Sequence, residues 1–358
     1  MDDARERRLL RRLGLKRVEL EHLTIERVAC GRGFSYRQNG AVVRDSETRS
    51  RIVELVVPPA WRDVRIAADH HAHLQAVARD EAGRLQYLYH PAWSEVRAAR
   101  KVEHLARLGR GLRKLRAAVA EDLKNSALHR RTMLAAAATL VDRAGLRAGH
   151  EAYAGPESGR GAATLLKRHV TIDGCDVKLA FPGKGGRRIE VCLADEQLAR
   201  VLAELKQVRG PRLFKERNGQ GLRPLTAEDL NEYLREASGE DISAKDFRTF
   251  LASARALELL CTTEPATTAR ERRRCLAAVA RQVGEVLNNT PTVARSSYIH
   301  PHVIERFEDG LLDPGLLRPR RRQGLDAAES ALMRLIEDVE QALERKKENG
   351  ARNGAPSK

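Results

Sequence analysis

The 358-residue chain is long enough for two modest domains that each bury their own core, and less suited to one undivided domain. Its 65 Lys and Arg against 49 Asp and Glu leave a net charge of +16 spread along the chain, which favours a polyanionic partner, because phosphates neutralised by cations release condensed counterions. Five cysteines without CxxC spacing (Cys30, Cys175, Cys192, Cys261, Cys275), no apolar signal core in residues 1–16 and no run near the ~18 apolar residues of a membrane span disfavour a secreted disulfide scaffold or a membrane protein, so a soluble, cytoplasmic protein is expected.

Short alternating runs around Phe34–Arg37, His73–Ala78 and Gln86–His90, separated by turn signals at Arg37–Gly40 and Glu81–Gly83, predict strands of a small sheet. Asp45 or Ser46 caps a helix through Leu55, which Pro58–Pro59 ends. After Pro91 the texture changes to long Ala/Leu/Arg helical patterns, which divides the chain into a β-rich domain over 1–91 and a mostly helical one over 92–312. In the second, Ser126 is expected to cap an Ala-rich helix to about Arg143, and Asp195 a helix with Leu198, Val201, Leu202 and Leu205 on one face. Between them Val177–Phe181 and Arg188–Leu193 flank a Pro182–Gly186 turn, a β-hairpin with Lys184 at its tip. Thr226 and Asp229 open another helix, lined by Leu230, Tyr233, Leu234 and Ala237. Residues 313–358 comprise a basic run (Arg318–Arg322), an amphipathic helix from Asp326 and a disordered tail after Lys347. The helix carries Ala328, Leu332, Leu335, Ile336, Val339 and Leu343 along one stripe, suited to packing on the body or on another chain.

Ser243 and Asp246 form a capping-box-like pair, which puts Lys245 and Arg248 at a helix N-terminus. The macrodipole disfavours cations there, so two of them suggest a bound phosphate; the alternative is a solvated pair held by Glu240 or Asp241. Asn288-Asn289-Thr290-Pro291 stops one helix and starts a short one over Val293–Ile299, with Arg295 three residues before Tyr298. By itself Tyr298 is as well explained as a packed aromatic, Lys184 as a solvated turn residue and Arg147 as a cation facing helix-end carbonyls. The glycine-rich stretches do not match the GxxxxGK[ST] phosphate loop, and Asp69-His70-His71-Ala72-His73 lacks a second ligand set, so neither a nucleotide triphosphatase nor a metal site is supported.

Taken together in order and spacing, Cys30-Gly31-Arg32-Gly33-Phe34, Val57–Val64 (VPPAWRDV), His73-Leu74-Gln75-Ala76, Gln86–Pro91 (QYLYHP), Leu146-Arg147-Ala148-Gly149, Gly183-Lys184, Ala244–Phe250 (AKDFRTF), Asn289-Thr290-Pro291 and Ser297–Pro301 (SYIHP) resemble the bacterial, poxvirus-like type IB DNA topoisomerases over about residues 27–312. The resemblance implies an α+β protein: a β-rich amino-terminal domain and a mostly helical catalytic domain with a β-hairpin, closing as a C-shaped clamp on duplex DNA. It implies Tyr298 as nucleophile, Arg147 and Arg248 on the scissile phosphate and Lys184 as general acid. Asn289 stands where the poxvirus and eukaryotic enzymes have histidine, and Lys245 assists the proton transfer. Tyr87 and Tyr89, alternating on a predicted strand, face one side where the family contacts the duplex. It further implies a monomer on DNA in the nucleoid, without ATP, cofactor or required metal. Two alternatives remain: a tyrosine recombinase, which shares the phosphotyrosine, paired arginines and lysine hairpin, and a non-catalytic DNA-coating protein.

Overall fold

A computed structural model describes residues 3–155, 159–218, 221–264, 266–318 and 322–352, and the chain divides between Lys101 and Val102 into two units. The architecture is mixed α+β, with an antiparallel sheet in the first unit and mostly helix in the second.

The first unit contains helix α1 (Asp3–Arg12), strands β1 (Ile25–Cys30), β2 (Gly33–Gln38) and β3 (Ala41–Val42), helix α2 (Ser46–Glu54), strands β4 (Arg62–Ile66), β5 (Leu74–Arg79) and β6 (Leu85–Tyr89), and the start of α3 (Trp93–Asp122). The six strands form one antiparallel sheet in the order β3-β2-β1-β4-β5-β6, with Ile25 opposite Ile66 and Val77 opposite Tyr87. Ile25, Val64, Ile66, Ala76 and Ala78 bury one face with Ile52 of α2, whose N-cap Asp45 accepts from the Thr48 amide at 2.7 Å as its sequence predicts. Strands β1, β3 and β4 were not foreseen. β1 reads Ile-Glu-Arg-Val-Ala-Cys, and its mid-strand Arg27 looks like a loop cation but turns its guanidinium onto the carbonyls of Val57, Pro58, Pro59 and Trp61. β4 starts three residues after Pro59 and holds Asp63 at φ 51°, so its alternation is short, with Val64 and Ile66 buried on either side of the exposed Arg65.

The second unit continues α3 and adds α4 (Arg130–Ala144), the three-stranded sheet β7 (Val170–Asp173), β8 (Asp176–Pro182) and β9 (Arg188–Ala194), α5 (Glu196–Gln207), the hairpin β10 (Lys215–Asn218) and β11 (Gly221–Pro224), α6 (Ala227–Ser238), α7 (Ala244–Thr262), α8 (Ala269–Val286), the single turn α9 (Pro291–Val293), α10 (Pro301–Glu308) and α11 (Ala327–Arg352). The caps at Asp195 and Thr226 form as predicted, with Leu198 N donating to Asp195 at 2.9 Å and Thr226 and Asp229 bonding reciprocally. The Ala-rich helix starts later than expected. Ser126 accepts the His129 amide in a turn, and α4 begins at Arg130 with no side-chain cap.

The last helix packs on its own chain. Leu332, Met333 and Ile336 are fully buried against α7 and the rest of the core, while Glu329 and Asp142 grip Arg116 from two sides at 2.8 Å. It runs to Arg352, past Lys347 where the tail was expected, since no residue before that point breaks a helix. Residues 319–321 of the basic run, the Leu343 side chain and residues 353–358 lie outside the described part. Glu329→Ala leaves Arg116 half-paired in a partly buried site, so urea unfolding is expected to show a loss of about 2 kcal/mol. A change within the range of an ordinary surface substitution, about 0.5 kcal/mol, would show that the triad does not hold α11 in place.

Candidate active site

Arg248 lies at the start of α7 but does not face solvent. It is buried, and its guanidinium donates to the carbonyl of Gly145, the left-handed C-cap of α4, and to that of Leu287, the C-cap of α8, the latter at 2.8 Å. Two helix C-termini, each the negative end of a macrodipole, thus receive one cation and offset part of its desolvation. Burial and then the nearby Arg147 still hold its pKa below the ordinary value. The carboxylates weighed as partners are engaged elsewhere, Asp241 with Arg107 and Glu240 with Arg110, both at 3.5 Å. The Arg248 Nε is buried and has no hydrogen-bond partner among the described residues.

Tyr298 sits against this arginine, its ring centroid 5.0 Å from the guanidinium carbon. Burial pushes the phenol pKa up, but the charge and hydrogen bonding of Arg248, followed by Arg147, outweigh it and hold it below the ordinary tyrosine value. The chain arrives there through the expected stop and start: Asn288 adopts φ 52°, Thr290 caps α9 by accepting from Val293 N at 3.2 Å, and Pro291 takes the first helical position. The expected short α-helix is instead one turn of α9 followed by a π-helical turn, Ala294–Tyr298, closed by Ile299 N donating to Ala294 O at 2.9 Å. Asn289 ties the parts together. Its amide oxygen accepts from Arg147 Nη2 at 3.1 Å and its Nδ2 donates to Leu287 O at 3.2 Å, the carbonyl that also receives Arg248.

Tyr298, Arg248, Arg147 and Asn289 therefore meet, whereas among the described residues no hydrogen bond or ion pair joins the Lys184 or Lys245 side chain to them. Lys245 is exposed in the first turn of α7, and among the described residues it has no ion pair. Lys184 is exposed at the β8–β9 tip, where Gly185 and Gly186 take φ of 75° and 74° and Gly183 N donates to Arg187 O at 2.7 Å.

Within the first unit, Tyr87 and Tyr89 are exposed on one face of β6 with their rings 6.3 Å apart, and Tyr89 stacks on Trp93 at 6.1 Å. Tyr89 and Trp93 line a cleft of about 370 Å³ together with Arg17, His73, Arg97 and Arg100. The buried Glu6 holds Arg17 at 3.3 Å and Arg100 at 3.0 Å, whereas Arg97 is exposed and has no ion pair among the described residues. His73 accepts from Val18 N at 3.2 Å, and burial with the nearby Arg17 and Arg100 keeps it below the ordinary histidine pKa.

A family model described as eukaryotic DNA topoisomerase I, catalytic core, matches residues 91–313, well over half of the chain, and one described as bacterial DNA topoisomerase IB, N-terminal domain, matches residues 33–80. The chain belongs to the type IB DNA topoisomerases. It is also 27% identical over 267 residues to DNA topoisomerase 1B of Acanthamoeba polyphaga mimivirus, covering 72% of this chain and 80% of the viral protein. The match to the bacterial N-terminal domain, on the sheet of the first unit, speaks against the recombinase alternative. No helix among the described residues is long and apolar enough to cross a membrane, and α11 lies beyond the matched segment.

Two contributors to this candidate site escaped sequence reasoning. Ser253, fully buried on α7, accepts from His300 N at 3.0 Å and lies 3.2 Å from the Tyr298 carbonyl oxygen, so the helix that carries Arg248 also holds the tyrosine's main chain. A small hydroxyl inside an apolar helix face was its one visible signal. Gly145 reads as a plain helix stop, yet its carbonyl is the seat of Arg248. The field at Tyr298 can be tested by difference titration of the phenolate against a Tyr298→Phe background. In Arg147→Ala the Tyr298 titration should move to higher pH, because one of the cations favouring the phenolate is lost. An unmoved titration would mean that Arg147 does not act on the phenol.

Proposed function

We propose that this type IB topoisomerase relaxes duplex DNA by cutting one strand through a 3′-phosphotyrosine on Tyr298 and resealing it, without ATP or a required metal. The observation that carries the reading is one phenol under a buried arginine, with a second arginine and an amide beside it. A phenol of pKa ~10 is a poor nucleophile near neutrality, and two guanidiniums lower the cost of negative charge on it and on the phosphoryl oxygens of the transition state.

In the proposed step the Tyr298 oxygen bonds to the scissile phosphorus, the bond to the 5′-oxygen breaks, and the phenol proton leaves to solvent. Lys184 supplies a proton to the departing 5′-oxygen, with Lys245 assisting. Arg147 and Arg248 hold the non-bridging oxygens, Arg248 through the Nε–H that has no hydrogen-bond partner among the described residues. Asn289 keeps Arg147 in place and has a second Nδ2–H to offer a phosphate oxygen. The phosphotyrosine retains the energy of the phosphodiester, so resealing is the reverse step. Tyr87, Tyr89 and the arginine-lined cleft of the first unit suit contacts to the duplex backbone, where cations position without reading sequence.

The deciding experiment is relaxation of supercoiled plasmid in EDTA without ATP, followed by denaturing capture of the complex. Relaxed topoisomers and protein attached to a 3′ DNA end are expected. A requirement for ATP or attachment to a 5′ end would overturn the reading.

A further inference from the structure

The direct contacts bring Arg147 to Tyr298 but leave Lys184 on its own hairpin, and one short segment links the two. Arg160 N donates to Pro182 O at 2.8 Å, at the base of the Lys184 turn. Two residues on, Ala162 N donates to Arg147 O and Ala163 N to Ala148 O, both at 2.8 Å. The glycines between are tight against what they touch. A β-carbon on Gly159 would stand 2.5 Å from the Lys184 nitrogen and 2.6 Å from its Cα. One on Gly161 would collide with the Arg147 carbonyl oxygen and stand 2.6 Å from the Gly149 nitrogen. Gly161 has an extended backbone, φ −141°, that any residue adopts, so the need for glycine there is close approach and not conformational freedom. The Arg160 guanidinium pins the segment by donating to Thr164 O at 3.1 Å and Gly155 O at 3.4 Å.

We infer that Gly159-Arg160-Gly161 is a positioning strap that sets the main chain of Lys184 against that of Arg147, so that the acid and the arginine meet the same phosphodiester. From Gly159 to Gly161 an extended chain spans at most about 7 Å, which lets the side chains of the two residues that these glycines contact, Lys184 and Arg147, converge on one phosphorus. A misplacement of about 1 Å in such a constellation costs up to roughly 100-fold in rate. The inference rests on the roles of Lys184 and Arg147 proposed above.

Its test uses single-turnover cleavage by the full chain on two substrates, ordinary DNA and DNA with sulfur in place of the bridging 5′-oxygen. The thiolate leaving group needs little protonation, so sulfur restores a lost acid but not a lost arginine. Lys184→Ala is the control, expected to fall on the order of 100-fold or more on ordinary DNA and to recover with sulfur. Gly159→Ala, whose methyl group pushes the Lys184 main chain, should fall ~10- to 100-fold and also recover. Gly161→Ala, whose methyl group pushes the Arg147 carbonyl, should fall similarly and not recover. Arg160→Ala adds no atom and loosens both ends of the strap, so it should give a few-fold loss that sulfur only partly restores, and it serves if the glycine variants do not fold. Wild-type rates in the glycine variants, or the same response to sulfur in both, would overturn the strap. An unrescued Lys184→Ala would instead overturn the acid role itself.

Discussion

Tyr298→Phe should abolish plasmid relaxation and covalent adduct formation while leaving duplex affinity within a few-fold of wild type. The substitution removes one oxygen. The ring can still lie against the Arg248 guanidinium, and the Ser253 hydroxyl beside the Tyr298 carbonyl acts on main chain, so the π-helical turn has no reason to move. Most of the affinity for a polyanion comes from cations spread over the chain, and none of them is altered. The measurement is a pair of assays on one preparation, denaturing capture on a nicked duplex and equilibrium binding at fixed salt. Capture of the variant on DNA would sink the nucleophile assignment, and a loss of binding that matched the loss of relaxation would make Tyr298 a contact residue only.

For Arg248→Ala, single-turnover cleavage is expected to slow by about 10³-fold or more with a much smaller change in affinity, because a cation aimed at the reacting phosphate acts mainly in the transition state. The structure makes a second demand on this side chain. It must satisfy the carbonyls of Gly145 and Leu287 and still reach the phenol, which a planar fork can do and a lysine ammonium cannot. Arg248→Lys should therefore recover little of the rate although the charge is kept. Equal losses in rate and affinity, or near-complete recovery by lysine, would reduce Arg248 to a positioning cation. The sulfur-bridged substrate should rescue neither variant if the arginine serves the non-bridging oxygens as proposed, since sulfur at the bridge leaves those unchanged.

Local chemistry was legible where a short segment decides its own conformation. The caps at Asp45, Asp195, Thr226 and Thr290 follow from side chains bonding to neighbouring backbone, and the hairpin around Lys184 and the stop at Asn288 from the positive φ that Gly185, Gly186 and Asn288 adopt. Strands whose polar residues find distant partners were not legible: Arg27 of β1 is satisfied by carbonyls some thirty residues away, which nothing in its local sequence announces. The same holds at the site. Two cations at the start of α7 read as a phosphate seat or a solvated pair, whereas that Arg248 turns inward to the ends of α4 and α8 is a tertiary fact that no spacing encodes. Ser253 was hidden for the same reason, because its partners, His300 N and the Tyr298 carbonyl, lie more than forty residues on.

The packing of α11 has a consequence for how the protein is made. Leu332, Met333 and Ile336 fill space beside α7, and Glu329 completes the pairing of Arg116 from α3, so helices formed early in synthesis wait for one that leaves the ribosome after every other described element. Until then the apolar flank of α7 stays uncovered on a chain whose arginines already attract nucleic acid. Translation speed between α7 and α11, and chaperones that shield that flank, should therefore affect the yield of folded protein.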